Sequence, residues 1–270
     1  PGEAKTQLEP LGCVLIIGPW NYPFSLTLQP LVSAIAAGNT AVLKPSEHAP
    51  STSELIKKLF TLYFPKDVIQ VFLGGGEIAK ELLEQPFDHI FFTGGGEIGK
   101  KVMASAAKHL TPVTLELGGK SPAIVLGNAD LAVTARRLIW GKGLNAGQTC
   151  IAPNHLLIEF QLKEPLLQEM KRARTSFYGS DPLQSKNLAK IVNEHHFNRL
   201  KELLETARKK GKILLGGEAD ASQRKIAPTV IDVDDPTDPV LGDELFGPLL
   251  PVISIPNFET ALENVKSQPK

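Results

Sequence analysis

Residues 89–99, with the sequence HIFFTGGGEIG, place a short apolar run directly before a cluster of glycines. Behind the glycines Ile98, Val102, Ala106 and Leu110 recur every four residues, like the residues on one face of an α-helix. The order is therefore strand, glycine loop, helix. In parallel α/β sheets this order directs backbone N–H groups and the helix dipole toward a phosphate. We predict an α/β fold in which this segment lines a dinucleotide site.

The glycine segment also has two other interpretations. Gly94, Gly96 and Gly99 fit the pattern G-x-G-x-x-G, and Lys100 extends the match to most of a P-loop. Lys101 stands where a P-loop has the Ser or Thr that ligates magnesium, which argues against a nucleoside triphosphatase. The plainer alternative is a turn that uses glycine for its backbone freedom.

Apolar β-type runs alternate with helical patterns throughout the first half, which predicts an open parallel sheet with crossover helices. Strands are predicted at residues 11–17, 40–43, 68–73, 89–92 and 113–117, and helices at 25–37 and 51–64. Gly38 is expected to end the first of these helices. Pro30 leaves open the alternative that this helix begins later than residue 25. Ser51 and Glu54 predict a capping box for the second.

The second half continues the alternation without an internal repeat. Strands are predicted at residues 123–126, 156–158, 213–215, 229–233 and 249–255, and helices at 131–140, 164–175 and 194–210. The paired glycines at 118 and 119 are the expected boundary between the two halves.

Composition excludes several classes of protein. The 270 residues are 42% apolar, which is enough for a large core, and 29 basic side chains balance 29 acidic ones. This balance offers no field to attract a polyanion, so nucleic acid is not an expected partner. Two cysteines cannot form a disulfide framework, which favours a reducing, cytoplasmic location. No apolar run reaches the ~18 residues of a membrane span, and no metal-ligand cluster is expected.

One of the two cysteines ends the stretch 145–150, NAGQTC, where Ala and Gly give a small and flexible approach to Cys150. A cysteine in this setting is a candidate nucleophile, and the alternative is a buried structural thiol. Thirty-four residues earlier (150 minus 116), Glu116 ends an apolar strand before two glycines. We expect a partly buried carboxyl there, with its pKa raised toward that of a useful base. The alternative is a salt-bridged surface acid.

Both stretches resemble the active-site signatures of the NAD(P)-dependent aldehyde dehydrogenase superfamily. Further motifs in the same order are similar to its class 3 or fatty-aldehyde type, from about Leu11 to the last residues. These are IGPWNYPF at 17–24, LKPSE at 43–47, FFTGG at 91–95, LTPVTLE at 110–116 and ELFGP at 244–248. The resemblance implies a Rossmann-type cofactor domain over residues 1–118 and an α/β catalytic domain over residues 119–270.

The family pattern also implies that the chain is truncated at both ends, since members have further sequence on either side. A C-terminal oligomerisation strand, and any membrane anchor of a fatty-aldehyde type, are expected in that further sequence. The complete chain is accordingly expected to form a homodimer.

The resemblance further implies the roles of individual residues. Cys150 is the nucleophile, Glu116 activates water, and Asn21 with the Cys150 N–H stabilises an oxyanion. The implied cofactor contacts are Trp20, Lys44, Glu47, Thr93, Gly94, Gly95, Gly96, Glu97, Ile98, Gly99, Glu244 and Phe246. Lys44 and Glu47 are expected at the adenosine ribose, where the carboxylate disfavours the 2′-phosphate of NADP, and Glu244 at the nicotinamide ribose. NAD is the expected cofactor, with NADP as the second choice, and an aliphatic medium- or long-chain or an aromatic aldehyde is the expected substrate.

Two other functions remain as alternatives. A reductase on the same scaffold would pass the thioester to coenzyme A or phosphate, and it would not need Glu116. A non-catalytic cofactor-binding fragment would not need Cys150.

Overall fold

The strands of the first half pair into one parallel sheet in the computed structural model, which describes residues 2–268. The strands are β1 (Cys13–Ile17), β2 (Thr40–Lys44), β3 (Ile69–Val71), β4 (His89–Gly94) and β5 (Val113–Leu117). The helices are α1 (Pro23–Ala36), α2 (Pro50–Tyr63), α3 (Gly76–Leu83) and α4 (Gly96–Ala106). The strand order β3-β2-β1-β4-β5 is that of a doubly wound, Rossmann-type sheet. The predicted fold class is confirmed.

The central strand of this sheet is buried on both faces, as the uninterrupted apolar run at 14–17 requires. Val14 and Ile16 pack in one core together with residues of α1 and α2. Leu15 and Ile17 pack in another core with residues of α3 and α4. The crossover helices therefore cover both faces of the sheet.

Two local predictions for α1 and α2 are corrected. Pro30 does not delay α1, which begins at Pro23, where the missing N–H of proline needs no partner. The capping box at Ser51 is wrong, because α2 begins one residue earlier with Pro50 at its first position and Ala49 as its N-cap. No side chain caps α2. A proline at the first helical position set this boundary in both helices.

The chain divides into two units, the first ending at Gly118 and the second beginning at Gly119. The second unit has a mixed sheet in the order β6-β7-β12-β11-β8, in which only β8 is antiparallel to its neighbour. Its strands are β6 (Pro122–Val125), β7 (His155–Glu159), β8 (Ile213–Leu215), β9 (Ala219–Asp220), β10 (Lys225–Ile226), β11 (Thr229–Val233) and β12 (Leu249–Ile255). Its helices are α5 (Leu131–Gly143), α6 (Phe160–Tyr178), α7 (Glu194–Lys209) and α8 (Phe258–Ser267).

Helix ends and one hairpin of the second unit differ from expectation. α5 continues past Trp140 to Gly143, and α6 is longer than predicted at both ends, with Pro165 inside it. The short β9–β10 hairpin was not predicted, because two-residue strands are too short to show an alternating pattern. A large core cluster joins the sheet to residues of α5, α6 and α7. Within residues 2–268, no helix is both long and apolar enough to span a bilayer.

Candidate active site

The carboxyl ends of the parallel strands bring several predicted residues to one edge of the first sheet. Lys44 ends β2, and its carbonyl accepts the N–H of Gly18, just beyond β1, at 3.0 Å. Thr93 on β4 and Glu116 on β5 are direct strand partners. In open parallel sheets ligands bind at this edge, near the point where the strand order reverses. Here that point lies between β1 and β4.

Lys44 and Glu47 form an ion pair at the end of β2. The Lys44 Nζ lies 2.7 Å from Oε2 of Glu47, and the lysine side chain is 5% exposed against 40% for the glutamate. Burial acts to raise the pKa of Glu47, but the hydrogen bond from Lys44, a backbone N–H and the charges of Lys44 and His48 together lower it. The pair is not a solvated loop pair, because its cation is buried.

The glycine segment at 94–99 does not depend on unusual backbone angles, since none of its glycines has a positive φ. A Cβ at Gly94 would lie 2.5 Å from the ring of Phe92, and one at Gly99 would lie 2.9 Å from the Leu117 side chain. At the two middle glycines, 95 and 96, a Cβ would meet nothing within 4 Å. The backbone-freedom interpretation is therefore wrong, and a Cβ at either outer glycine would have to displace the end of a neighbouring side chain. The middle ones border open space.

Glu97 and Ile98 lie exposed in the first turn of α4. Lys100 donates a hydrogen bond to Glu97 at 2.6 Å, and this bond lowers the pKa of the carboxyl below its usual value. Ile98 is 51% exposed and Leu110 is 89% exposed, so only the middle members of the four-residue pattern, Val102 and Ala106, are buried. The helix prediction is confirmed, but its buried face is shorter than expected.

Glu116 is exposed, and the expectation of a partly buried carboxyl is wrong. The reason is its position near the carboxyl end of β5, the edge strand of the sheet. Leu117 and Gly118 beyond it are exposed as well. The salt-bridge alternative is not supported either, because no ion pair of Glu116 occurs among the described residues.

Asn21 lies in the bend between β1 and α1, next to the half-buried Trp20. Only 7% of Asn21 is exposed, so its carboxamide is held within the protein. Tyr22, the N-cap of α1, adopts a left-handed conformation with φ 48°. The bend thus turns the chain sharply from the end of the strand into the helix.

The segment before Cys150 has an unusual backbone. Asn145 and Ala146 have φ values of 50° and 52°, and Gly147 follows with 74°. Left-handed residues other than glycine are strained, so tertiary contacts must hold this conformation. A Cβ at Gly147 would lie 2.2 Å from the carbonyl oxygen of Gly247. This position therefore requires glycine for both its angles and its space.

Gln148 clamps the same segment from inside, with 2% of its surface exposed. Its Nε2 donates to the carbonyls of Asn145 at 2.9 Å and Lys190 at 3.0 Å. Its Oε1 accepts the N–H of Val192 at 2.9 Å. One side chain thus fixes the loop to the chain more than 40 residues later.

Cys150 itself is exposed, and the structural-thiol alternative is wrong. It lies in a tight turn closed by the Ala152 N–H, which donates to the Thr149 carbonyl at 3.0 Å. The Ser121 hydroxyl donates to the Cys150 carbonyl at 3.4 Å. The Cys150 N–H has no acceptor within residues 2–268. The turn therefore presents a thiol and an available backbone donor together.

Glu244 and Phe246 flank Leu245 in the loop before β12. Glu244 is half-buried, and burial raises its pKa against the opposing effects of the Gly119 N–H and the charges of Lys142 and Arg199. Phe246 has a left-handed φ of 47°. A carboxyl with a raised pKa and a strained neighbour are typical of functional loops.

Sequence reasoning missed two side chains that hold this loop. Asn154 Oδ1 accepts the Leu245 N–H at 2.8 Å, and Arg199 Nη2 donates to the Leu245 carbonyl at 2.5 Å. Nothing in the local sequence pointed to them, because an asparagine after a proline and an arginine on a polar helix are ordinary surface patterns.

A third missed residue is Lys142, on the inner face of α5. It follows Ala135, Leu138 and Ile139 at the spacing of a buried helical face, and this spacing was a readable signal. Burial lowers the pKa of Lys142 to about 7, although the charge of Glu244 opposes the shift. Burial, together with the charges of Lys120 and Lys142, lowers the pKa of His155 to about 4.

A scan against protein-family models matches residues 2–269 to the aldehyde dehydrogenase family. Among curated relatives, rat aldehyde dehydrogenase family 3 member A2 is 49% identical over 99% of this chain and 54% of its own length. Family 3 member H1 of Arabidopsis thaliana is 46% identical over 100% of this chain and 56% of its own length. The rat protein named "aldehyde dehydrogenase, dimeric NADP-preferring" is 45% identical over 97% of this chain and 57% of its own length.

Solved structures agree with these relatives. The substrate-bound state of Staphylococcus aureus AldH superposes with a TM-score of 0.93 at 42% identity, over 97% of this chain and 57% of that one. Mycobacterium tuberculosis aldehyde dehydrogenase complexed with NAD+ has a TM-score of 0.86 at 30% identity, over 96% of this chain and 55% of that one. The chain spans about half the length of the curated relatives it matches. On the family match and these relatives, the chain belongs to the aldehyde dehydrogenase family.

Proposed function

We propose that the protein oxidises an aldehyde to the carboxylic acid with NAD or NADP, with Cys150 as the nucleophile. Membership of the aldehyde dehydrogenase family supports the reaction class. The observation that carries the proposal is the Cys150 turn, where an exposed thiol and an available N–H stand on a loop that is clamped by Gln148. A nucleophile beside an oxyanion donor is what acyl chemistry on a carbonyl requires.

The first step forms a bond between the Cys150 sulfur and the aldehyde carbon, and the carbonyl oxygen becomes an oxyanion. The Cys150 N–H and the Asn21 carboxamide donate hydrogen bonds to that oxygen. A bound nicotinamide cofactor would supply the acceptor for the hydride of the same carbon. The acyl group of the substrate then remains attached to the Cys150 sulfur as a thioester.

Glu116 completes the cycle as a general base. Its carboxylate takes a proton from water, and the resulting hydroxide attacks the thioester carbon. The carbon–sulfur bond breaks, its electron pair restores the thiolate of Cys150, the acid leaves, and Glu116 releases its proton to solvent. Exposure of Glu116 near the carboxyl end of β5 supports access to water. A reductase that passes the thioester to coenzyme A or phosphate would have no use for this carboxylate.

The cofactor residues of the first unit fit a dinucleotide. Lys44 and Glu47 offer an ammonium and a carboxylate 2.7 Å apart, which suits the neighbouring hydroxyls of a ribose. Among the described residues, nothing lies within 4 Å of a Cβ added at Gly95 or Gly96, which leaves space beside them for a ligand. Glu244 is proposed at the nicotinamide ribose. Trp20, Thr93, Glu97, Ile98 and Phe246 are proposed to line the rest of the cofactor site.

An aliphatic medium- or long-chain or an aromatic aldehyde is the proposed substrate. The support is a structural neighbour, aldehyde dehydrogenase C of Pseudomonas syringae, solved in complex with NAD+ and octanal at 29% identity and a TM-score of 0.85. A homodimer is proposed for the whole protein because one relative is named dimeric. A reducing, cytoplasmic location is proposed, and the two free cysteines support it.

The test is absorbance at the reduced-nicotinamide band after the protein is mixed with NAD and octanal. We expect a signal from the wild type, none from Cys150→Ala, and a strongly reduced steady state with one initial turnover from Glu116→Gln. Wild-type activity that requires coenzyme A or phosphate would support the reductase alternative. Activity that survives in Cys150→Ala would contradict the proposed nucleophile.

A further inference from the structure

Asn154 connects three segments of the second unit. The residue is 2% exposed, and its backbone N–H donates to the Ser121 carbonyl at 2.8 Å. Ser121 in turn donates through its hydroxyl to the Cys150 carbonyl. The Asn154 side chain contacts a different segment, the loop before β12. Its Oδ1 accepts the Leu245 N–H at 2.8 Å, and the two residues are 91 positions apart in sequence. One buried residue thus ties the loop of Glu244 to the turn of Cys150.

Arg199 and close packing also hold the loop that carries Glu244. Arg199 fixes the Leu245 carbonyl at 2.5 Å, so both polar groups of the Leu245 backbone are held by side chains. Leu245 itself is 1% exposed, and a Cβ at Gly247 would lie 2.4 Å from Leu200. Since the Leu245 N–H belongs to the peptide that begins with the Glu244 carbonyl, the Asn154 bond fixes the orientation of that peptide. The bond therefore constrains the backbone from which the Glu244 side chain extends, while the Gly119 N–H bonds to the carboxylate itself.

The Asn154 carboxamide is only half satisfied. Its Nδ2 is buried and has no hydrogen-bond partner within residues 2–268. An unsatisfied buried donor is unfavourable, so packing alone would favour an apolar residue at this position. The hydrogen bond that Asn154 Oδ1 accepts from the Leu245 N–H offsets this cost. Polar groups retained against local stability are typical of residues that serve a site.

We infer that Asn154 is a positioning residue that sets Glu244 for its contact with the nicotinamide ribose, relative to the Cys150 turn. The inference rests on the proposed function, because Glu244 is a cofactor contact only there. It assigns Asn154 no contact with substrate or cofactor. Its role is exerted through the Leu245 backbone alone.

A double-mutant cycle on NADH binding, followed by nicotinamide fluorescence, tests the inference without turnover. In the wild-type background, Asn154→Leu is expected to weaken NADH binding about fivefold, within the range of coupled neighbours. In the Glu244→Gln background the same substitution is expected to change binding by less than about 1.5-fold. Additive effects in the two backgrounds would overturn the inference while the proposed function stands. No NADH binding by the wild type would overturn both.

Two further variants separate positioning from stability. Asn154→Asp keeps an acceptor oxygen and is expected to retain NADH affinity within about twofold. Asn39→Leu is the matched control, because Asn39 is 7% exposed and clamps Gly12 and Ala34 by bonds of 3.0 Å at the opposite edge of the first sheet. It should lower the thermal midpoint without coupling to Glu244. If Asn154→Leu does not fold, Asn154→Ala takes its place in the cycle. Weak binding by Asn154→Asp equal to that of Asn154→Leu would contradict the role of the acceptor oxygen.

Discussion

Two buried lysines, Lys44 in the first unit and Lys142 in the second, have opposite surroundings. Lys44 is 4% exposed and donates to Glu47 at 2.7 Å. Lys142 is 2% exposed, and among the described residues no carboxylate lies within ion-pair distance of it. A buried charge is tolerated when it is paired, and an unpaired one releases its proton more easily. The charge of Lys44 is therefore balanced by a neighbouring carboxylate, whereas the charge of Lys142 is not balanced in this way within the described residues.

The difference extends beyond the two lysines. Near Lys142 in sequence lie two left-handed residues, Asn145 and Ala146, and two buried side chains, Asn154 and His155, each with a nitrogen that has no partner in the described part of the chain. Strained and unsatisfied groups persist only where the rest of the fold over-determines them, and they cluster at functional sites. The segment around Cys150 thus combines strained residues, unsatisfied groups and a buried lysine without an ion pair among the described residues, whereas the edge of the first sheet has a strained residue, Tyr22, but a paired buried lysine.

The largest effect is expected from Gly147→Ala, which adds a Cβ within the strained segment before Cys150. The new atom would lie 2.2 Å from the Gly247 carbonyl at a φ of 74°, so the loop has to move. A displacement of the nucleophile by about 1 Å can lower the rate about 100-fold. We expect at least that loss of the proposed dehydrogenase activity. The rate of Cys150 alkylation by iodoacetamide should change as well, and it can be measured without cofactor.

The matched control is Gly211→Ala, in the same unit. Gly211 has a similar φ of 66°, but its Cβ would meet nothing within 4 Å. Only the left-handed backbone is penalised there, at roughly 1–2 kcal/mol. The thermal midpoint should fall in both variants, and Cys150 reactivity should change in Gly147→Ala alone. Equal alkylation rates in the two variants would show that the loop absorbs the Cβ without moving Cys150.

The next largest effect is on the pH dependence of the free energy of unfolding. It arises because Lys142 is buried without an ion-pair partner among the described residues. Because its pKa is lowered to about 7, the unfolded chain binds more protons than the folded one between pH 7 and about 10.5. Wild-type stability should therefore rise over this window by up to ~1.4 kcal/mol per pH unit from this group. In Lys142→Met that contribution is absent. The gain in thermal midpoint from the substitution should be largest at pH 6 and shrink toward pH 10.

Lys212→Met is the control for that experiment. The hydrogen bond to Asp234 at 2.7 Å raises the pKa of Lys212. A raised pKa contributes stability that is fully present below about 10.5 and lost only above it, so this variant should differ from wild type by a constant amount between pH 7 and 10. A parallel pH profile for Lys142→Met would mean that Lys142 stays protonated in the folded protein.

The first sheet could be predicted from sequence because its signals are local. Apolar runs such as 14–17 and glycines such as Gly38 mark strands and helix ends within a few residues. Where prediction failed, two local signals competed. Ser51 offered a capping box, but Pro50 had already set the helix start. Pro30 was compatible with the interior of α1, although the rule for proline favours a boundary there.

The site was less predictable because its contacts are distant in sequence. Cys150 stood out by its motif, but the bond of Asn154 to Leu245 spans 91 residues and has no local signature. The exposure of Glu116 depends on β5 being the edge strand of its sheet, which is a property of strand order. Lys142 was the exception, since its place on the apolar face of α5 was visible in the helical spacing.

A smaller effect is expected when Lys44 loses its carboxylate partner and becomes a buried lysine without an ion pair, as Lys142 is among the described residues. Glu47→Gln removes the carboxylate of the ion pair and leaves a buried lysine with a neutral neighbour. If Glu47 repels the 2′-phosphate, the ratio of NADP to NAD affinity should rise by about tenfold, as a carboxylate and a phosphate charge of about −1.5 to −2 would produce at ~5 Å in water. Fluorescence titrations with NADPH and NADH measure this ratio. An unchanged ratio would remove the repulsion argument and leave Glu47 as a partner of Lys44 only.

The smallest effect is expected from Glu77→Gln, at the start of α3. Hydrogen bonds from its own backbone N–H and from the Gly75 N–H, which Oε1 accepts at 2.8 Å, lower the pKa of the Glu77 carboxyl, while the charges of Glu47 and Lys44 act on it in opposite directions. Because β2 and β3 are neighbours, the loops that follow them lie at the same edge of the sheet. Glu77 is exposed, so solvent screens its charge, and the NADP to NAD ratio should rise by no more than about twofold. Glu81→Gln, on the same helix, is the control and should leave the ratio unchanged. An effect of Glu77→Gln as large as that of Glu47→Gln would show that the whole edge, and not the paired carboxylate alone, selects the cofactor.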